Sequence, residues 1–480
     1  MKILLLAMPD AANNFRRMLT VPNLGLCMIA SLIPKEHEVK IVDLILVKGK
    51  IKRYLQEVFT TFTPDVLGVS SMSFQYESAK AVMHFVRSLL PSIKIVLGGY
   101  HASLCKDEIE IDPGAHPIDF IIRGEGEHSF SQLIATLASG KNDFSNIRGL
   151  SYRESGRAGS NSPFIHNDAS DLISLEQHPR PRREVRMLQN HRFLGKKIDC
   201  IETSRGCTHL CSFCSISQMY GTSFRCYPLE RILEDLQELK ANAVQSVLIV
   251  DDNITLNVKR FKLLCQAIIE QQLNKMEYIV QCSVVGIAAD EELAALMAKA
   301  NFRIVFLGIE SVSQKNLEFL KKGDIRKQQI QAIAYLRKYK IAIMGGLIIG
   351  NPDDTKEDIQ EVFREAKKMR VDLAAVQCVT PYPKTKTREE LLKQNLVTNI
   401  HDYSRYTGFI CNVRTKHLTT QEICRIMNWE NIKMFFHPRW FIGNNLIRGR
   451  DLGGVKVLLN NFEHFRAFIK NDLFRSRHNL

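Results

Sequence analysis

Long apolar runs are missing from this 480-residue chain. The run in MKILLLAMPD stops at Pro9-Asp10 after about eight residues, too short to cross a bilayer or to form a secretory leader with its cleavage site. The expectation is a cytoplasmic protein whose thiols stay reduced, so twelve cysteines do not imply disulfides. A hydrophobic content of 45% with 24% charged residues can supply sizeable cores, and the length suggests two or three domains.

Also missing is any broad spread of positive charge. The formal net charge is +14, but residues 179–197 carry seven Lys/Arg against one acid and residues 435–480 carry eight against three. Those two segments hold eleven of the fourteen net charges and leave the rest nearly neutral. No nucleic-acid partner is expected. Such segments usually read as solvated linker and helix faces, the alternatives being phosphate, an acidic substrate or an anionic membrane surface.

What is present is a repeating alternation of strand and helix. Over residues 1–150, KILLLAMP, VKIVDLI, DVLGVSSMS, IKIVLGGY and DFIIRGEGE read as strands with helical segments between them. Five such strands predict a doubly wound parallel sheet, because parallel neighbours need crossover connections. Ligands of such sheets sit beyond the strands' carboxyl ends. The loops there, Ser70-Ser71-Met72-Ser73, Gly98-Gly99-Tyr100-His101 and Gly124-Glu125-Gly126-Glu127, are rich in small residues. Residues 151–195 break the rhythm with Ser, Gly, Pro and Arg and read as a linker. Residues 196–400 resume it with six βα units, predicting a partial (βα)6 barrel whose site lies at the carboxyl ends of its strands. The fold class is therefore α/β, with a helical segment over 401–480. There Val455, Leu458, Leu459, Phe462, Phe465, Phe468 and Ile469 recur at helical spacing, for packing on the barrel or for peripheral contact with a membrane.

The stretch RGCTHLCSFC, Arg205 to Cys214, lacks a fourth cysteine at a matching distance. Three cysteines at four- and three-residue steps after a strand are unlike scattered buried ones. A structural zinc would need a fourth ligand, and His209 sits too close to two of the cysteines to supply it. Three thiolates would leave a catalytic zinc a poor Lewis acid. An iron–sulfur cluster suits cysteine thiolates best.

CxxxCxxC with an aromatic, Phe213, just before the last cysteine resembles the radical SAM superfamily. The resemblance implies that Cys207, Cys211 and Cys214 hold a [4Fe-4S] cluster whose free iron takes S-adenosyl-L-methionine (SAM). It implies further that Asp251, Asp252 and Asn253 hold the methionine amino group, and that Glu310 and Ser311 contact ribose and carboxylate. Gly346, Ile348 and Gly350, in GLIIGNPD, would lie against adenine. Carboxylates accept from ammonium and hydroxyl groups, and glycines let backbone approach a flat base. Taken singly, Glu310 or Asp252 reads equally well as a helix cap.

A doubly wound domain ahead of such a barrel resembles the cobalamin-binding module of a large radical SAM class. The resemblance places cobalamin against Ser70, Ser71, Gly98, Gly99, Gly124, Glu125 and Gly126, with Phe74, Gln75 or Tyr76 near cobalt. The Asp-x-His-x-x-Gly motif of the best-known modules is absent: the corresponding loop, Pro9 to Asn14, has no histidine. Either cobalt is held without a lower imidazole or the domain only packs on the barrel.

Over residues 1 to about 390, TSRGCTHLCSFCSI, VDDN, GIES and TPYPKT resemble the branch of the anaerobic magnesium-protoporphyrin monomethyl ester cyclase and the cobalamin-dependent C-methyltransferases. Lys384 stands where many relatives have Gly. The branch implies C-methylation of an unactivated carbon in a hydrophobic tetrapyrrole or lipid, with a flavodoxin- or ferredoxin-like electron donor. The alternative within it is oxidative ring formation. A methylthiotransferase-like enzyme acting on RNA or protein would show a second three-cysteine cluster upstream, where only Cys27 and Cys105 occur, singly. No catalytic acid or base is assigned.

Overall fold

The computed structural model describes residues 1–10, 20–153 and 163–435. The first sheet contains β1 (Lys2–Ala7), β2 (Glu38–Asp43), β3 (Val66–Ser70), β4 (Lys94–Gly98), β5 (Phe120–Ile122), β6 (Leu150–Arg153) and β7 (Phe164–His166), in the order β2-β1-β3-β4-β5-β6-β7. The first five run parallel, as the alternation predicts; β6 and β7 add antiparallel at the far edge. Apolar residues fill β1 almost end to end because helices cover both faces of the sheet. Helices Leu24–Ser31 and Glu127–Ala138 pack on one face. Helices Ile51–Thr61 and Tyr76–Leu89 pack on the other. The order reverses between β1 and β3, which opens a crevice at their carboxyl ends. Ser70 pairs in register with both Ala7 and Gly98 at its floor.

Beyond β7 the chain crosses to the second domain, and here the basic stretch departs from the reading of a solvated face. Arg183 is buried, paired with Asp235 and donating to the Cys200 carbonyl at 2.7 Å. Arg186 is buried as well, 2.7 Å from Asp199 and 3.1 Å from the Cys27 sulfur. His191 meets Asp43 at 3.1 Å. The acids that pair with these arginines, Asp199 and Asp235, lie outside the stretch, so a charge count confined to it misses them, and a buried charge persists only with such partners.

The second sheet contains β8 (Arg192–Phe193), β9 (Lys196–Ile201), β12 (Ser246–Ile249), β13 (Glu277–Ser283), β14 (Phe302–Glu310), β15 (Ala342–Ile349) and β16 (Leu373–Cys378), with the two-stranded ribbon β10 (Ser204–Arg205) and β11 (Arg225–Cys226) at its mouth. Its order is β16-β15-β14-β13-β12-β9-β8. All strands but β8 are parallel, giving the six-stranded partial barrel expected. Crossover helices supply the outer layer; Lys356–Lys368 starts with a reciprocal cap between Thr355 and Asp358. Helix Thr420–Phe435 packs on that helix. The amphipathic stretch Val455–Ile469 lies outside the described residues. Among the described residues no helix is long and apolar enough to cross a membrane.

Candidate active site

The three cysteines lie on the loop between β10 and helix Ile216–Tyr220, at the carboxyl end of the barrel. Gly206 enters it with φ +87°, and a side chain there would strike the Ser223 carbonyl. Ser212 clasps the loop to its neighbours: its amide donates to Leu320 O at 3.1 Å, its hydroxyl to Phe319 O at 2.9 Å, and its carbonyl accepts the Thr387 amide at 3.0 Å. Cys207, Cys211 and Cys214 are free and half-buried. Burial raises all three thiols, Cys214 to about 12, so cluster binding as thiolates would release protons.

Among the described residues no three Cys, His, Asp or Glu side chains converge on a single ion. Beside the cysteines Lys322, which the sequence reading did not single out, pairs with Glu310 at 2.9 Å, sits 5.9 Å from the Phe213 ring centre, and by its charge opposes the upward shift of the Cys211 thiol.

The other barrel strand ends divide into groups already engaged and groups still open. Asp251 is fully buried and accepts from the Thr203 amide at 2.7 Å and from the Thr203 and Ser204 hydroxyls, so it shapes the approach to the cysteine loop. Among the described residues Asp252 accepts only from the Gly206 amide, at 2.9 Å, and burial pushes its carboxyl up to about 6. Asn253 caps Thr255. Glu310 has φ +63°, which turns its carboxylate back towards Gly308 and Lys322. The Ser311 hydroxyl accepts from the Ser313 amide. Gly346 gives the Phe306 ring room, Ile348 is buried in the core, and Gly350 turns at φ +80° with its amide on Asp354.

Between the two sheets opens a cleft with about 1210 Å³ of empty space. Ser70, Gly98, Gly99, Gly124, Glu125 and Gly126 line it from the first domain; Glu202, Arg205, Met219, Tyr220 and Val250 line it from the barrel. At Gly98 an added Cβ would come no nearer than 4.0 Å to any atom, so missing side chains keep the floor flat for a broad ligand. Gly99, at φ +93°, instead meets the Ser71 backbone, and buried Ser71 turns its hydroxyl to Met72 O. Of Phe74, Gln75 and Tyr76, only Gln75 lines the cleft.

Glu125 is spoken for by protein groups. Arg205 reaches Glu125 at 3.0 Å, Glu127 at 2.8 Å and Glu202 at 2.8 Å, and Arg225 adds a 2.9 Å bond to Glu125. One arginine, two residues before Cys207, thus ties the cleft wall of the first domain to the cysteine loop. Glu202 is partly buried at the cleft wall and also accepts from the Tyr227 hydroxyl at 2.9 Å; burial pushes its carboxyl up to about 6. Tyr100, next to Gly99, and Tyr220 line the cleft from the two domains. Arg205 was visible as the R of RGC; Lys322, Glu202, Tyr100 and Tyr220 carried no spacing signal.

The B12 binding domain family matches residues 15–134 and the radical SAM superfamily matches residues 201–366. An uncharacterized methyltransferase of Pyrococcus horikoshii is 30% identical over 448 residues, covering 92% of this chain and 94% of that protein. The chain belongs to the cobalamin-binding radical SAM superfamily. It is similar to the hopanoid C-3 methylase of Methylococcus capsulatus, 28% identical over 76% of this chain and 67% of that one. It is similar also to the anaerobic magnesium-protoporphyrin IX monomethyl ester cyclase of Cereibacter sphaeroides, 26% identical over 84% of this chain and 66% of that one. In fold it matches the radical SAM methyltransferase TsrM of Kitasatospora setae with a TM-score of 0.66 at 19% identity, covering 82% of this chain and 78% of that one. As a radical SAM enzyme with a B12 binding domain it takes a [4Fe-4S] cluster, SAM and cobalamin. The residues present fit them: three half-buried free thiols, a half-buried carboxylate at Asp252, and a flat glycine floor facing the barrel.

Proposed function

We propose that the protein is a cobalamin-dependent radical SAM C-methyltransferase acting on an unactivated carbon of a hydrophobic small molecule of the tetrapyrrole or lipid class. The observation that carries this reading is the cleft itself, walled on one side by the glycine floor and on the other by residues adjoining the cysteine loop. When bound, the cluster with SAM supplies a carbon-centred radical and cobalamin supplies a methyl group.

Cys207, Cys211 and Cys214 would hold the cluster, with the Lys322 ammonium offsetting thiolate charge at Cys211. Asp252 and the Glu310–Lys322 pair would meet the polar groups of SAM, and Phe213, Asn253, Ser311, Gly346, Ile348 and Gly350 would complete that wall. Ser70, Ser71, Gly98, Gly99, Gly124 and Gly126 would carry the corrin, while Glu125 holds the wall through Arg205. Leu24, Met28, Ile29, Met72 and Met219 give the cleft an apolar lining, which supports a greasy substrate and exclusion of water. The methylase and methyltransferase relatives support the same class.

Anaerobic turnover should yield both S-adenosylhomocysteine and 5′-deoxyadenosine. Deoxyadenosine without homocysteine product would sink methylation and favour the oxidative cyclase reading, which the cyclase relative supports. Cys214→Ala is expected to abolish the cluster's iron and visible absorbance and both products.

A further inference from the structure

The three cysteines sit on an excursion of the chain that leaves and rejoins the same ribbon. In that ribbon β10 pairs antiparallel with β11, Arg205 stands directly opposite Arg225, and residues 206–224 between them carry Cys207, Cys211 and Cys214. Like charges directly opposite each other repel, so the pairing needs a counter-charge that neither strand holds. The first domain supplies it. Glu125, buried in the turn after β5, takes Arg205 Nη1 at 3.0 Å and both Nη atoms of Arg225 at 2.9 Å.

The Glu125 carboxylate has no capacity left for a ligand. Its Oε1 accepts from Arg205 and Arg225, and its Oε2 from Arg225 and from the Ile173 amide at 2.8 Å. Those donors fill the roughly four lone-pair sites of a carboxylate. Yet the residues on either side of it, Gly124 and Gly126, belong to the cleft floor. Gly124 turns at φ +77°, with the Ser170 hydroxyl oxygen 2.8 Å from where a Cβ would stand, so the turn is closely seated. One short turn thus offers backbone to the cleft and a charge to both ends of the cysteine excursion.

We infer that Glu125 is a positioning residue: by pinning both feet of the cysteine excursion to the corrin-bearing turn, it sets how the cluster faces cobalt. This rests on the reading of a cobalamin-dependent radical SAM methyltransferase and adds the side chain that aligns its two cofactor sites. Both cofactors must serve one substrate carbon, so a misplacement of about 1 Å between the sites is costly. With its oxygens filled, Glu125 acts through the arginines and not by touching a cofactor. Without its charge the two guanidinium groups lose their shared mate and the ribbon is free to turn away from the floor.

The test uses the full-length protein loaded with cluster and cobalamin under anaerobic conditions, reduced so that the cluster and cob(II)alamin are both paramagnetic. Pulsed electron paramagnetic resonance then reads the distribution of distances between the two spins. Glu125→Gln keeps the side chain's shape without its charge. It is expected to widen that distribution by about twofold or more, with iron and cobalamin content as in the parent. Glu125→Asp, which keeps the charge, should fall between the two. Arg225→Lys keeps a positive charge but loses the two-pronged contact, and should widen the distribution whether or not Glu125→Gln folds. Asp43→Ala removes the partner of His191, where the linker meets β2, and is expected to lower the melting temperature without widening the distribution. A parent-like distribution in fully loaded Arg225→Lys would overturn the inference, as would equal widening in Asp43→Ala. Failure of the methyltransferase reading would appear separately, as missing S-adenosylhomocysteine from a protein whose two spins stay sharply placed.

Discussion

Glu202 concentrates the site's electrostatics in one side chain. Its side chain is partly buried at the cleft wall, with Arg205 and the Tyr227 hydroxyl holding it and burial opposing its charge, so that the carboxyl rises from 4.5 to about 6. A group that binds its proton more tightly when folded stabilises the fold most below its unfolded value. That contribution is lost as pH rises from 4.5 through about 6. Asp252 follows the same sign. Glu202→Gln is therefore expected to flatten the dependence of melting temperature on pH across that window, measured on the metal-free protein. An unchanged slope would mean that the fold does not hold the Glu202 proton. None of this was legible beforehand: the cysteine triad announces itself by spacing, whereas Glu202 and Lys322 acquire meaning only from partners brought by other elements.

At the scale of elements, the turn after β4 shows two glycines with different duties. Gly99 needs its positive φ and packs on the Ser71 backbone, whereas Gly98 faces open cleft. Gly98→Leu is expected to keep the fold, with stability within about 1 kcal/mol of the parent, yet to abolish cobalamin binding as followed by absorbance titration. Gly99→Ala should instead cost roughly 1–3 kcal/mol through backbone strain, read by chemical denaturation. The strands were legible because parallel strands covered on both faces read as continuous apolar runs, as in KILLLA and AIMGGLII. The cleft's polar wall was not, since Glu125 reads as a small-residue turn in sequence and becomes an arginine's partner only when β10 arrives beside it. Asp251 and Asp252 look equivalent in VDDN, yet opposite faces of the turn give one to Thr203 and leave the other open.

Across the whole molecule buried ion pairs join the domains, Arg205 of the barrel meeting Glu125 and Glu127 of the first domain. Asp235→Ala would take the nearest partner from the buried Arg183 charge, leaving Asp199 at 3.5 Å and Glu238 at 3.6 Å, and is expected to cost roughly 1–3 kcal/mol, seen in thermal unfolding. Replacing both partners, Arg183→Met with Asp235→Leu, should recover most of that loss. The basic stretch misled the sequence reading because its counter-charges sit on β2, β9 and the helix after β11. This arrangement bears on modularity. The segment between the domains is matched to acids on both sides, so a chimaera that exchanges the first domain at either end of that segment leaves charges without mates. The two halves are not interchangeable parts on a tether, and are expected to be inherited, or engineered, only as a unit.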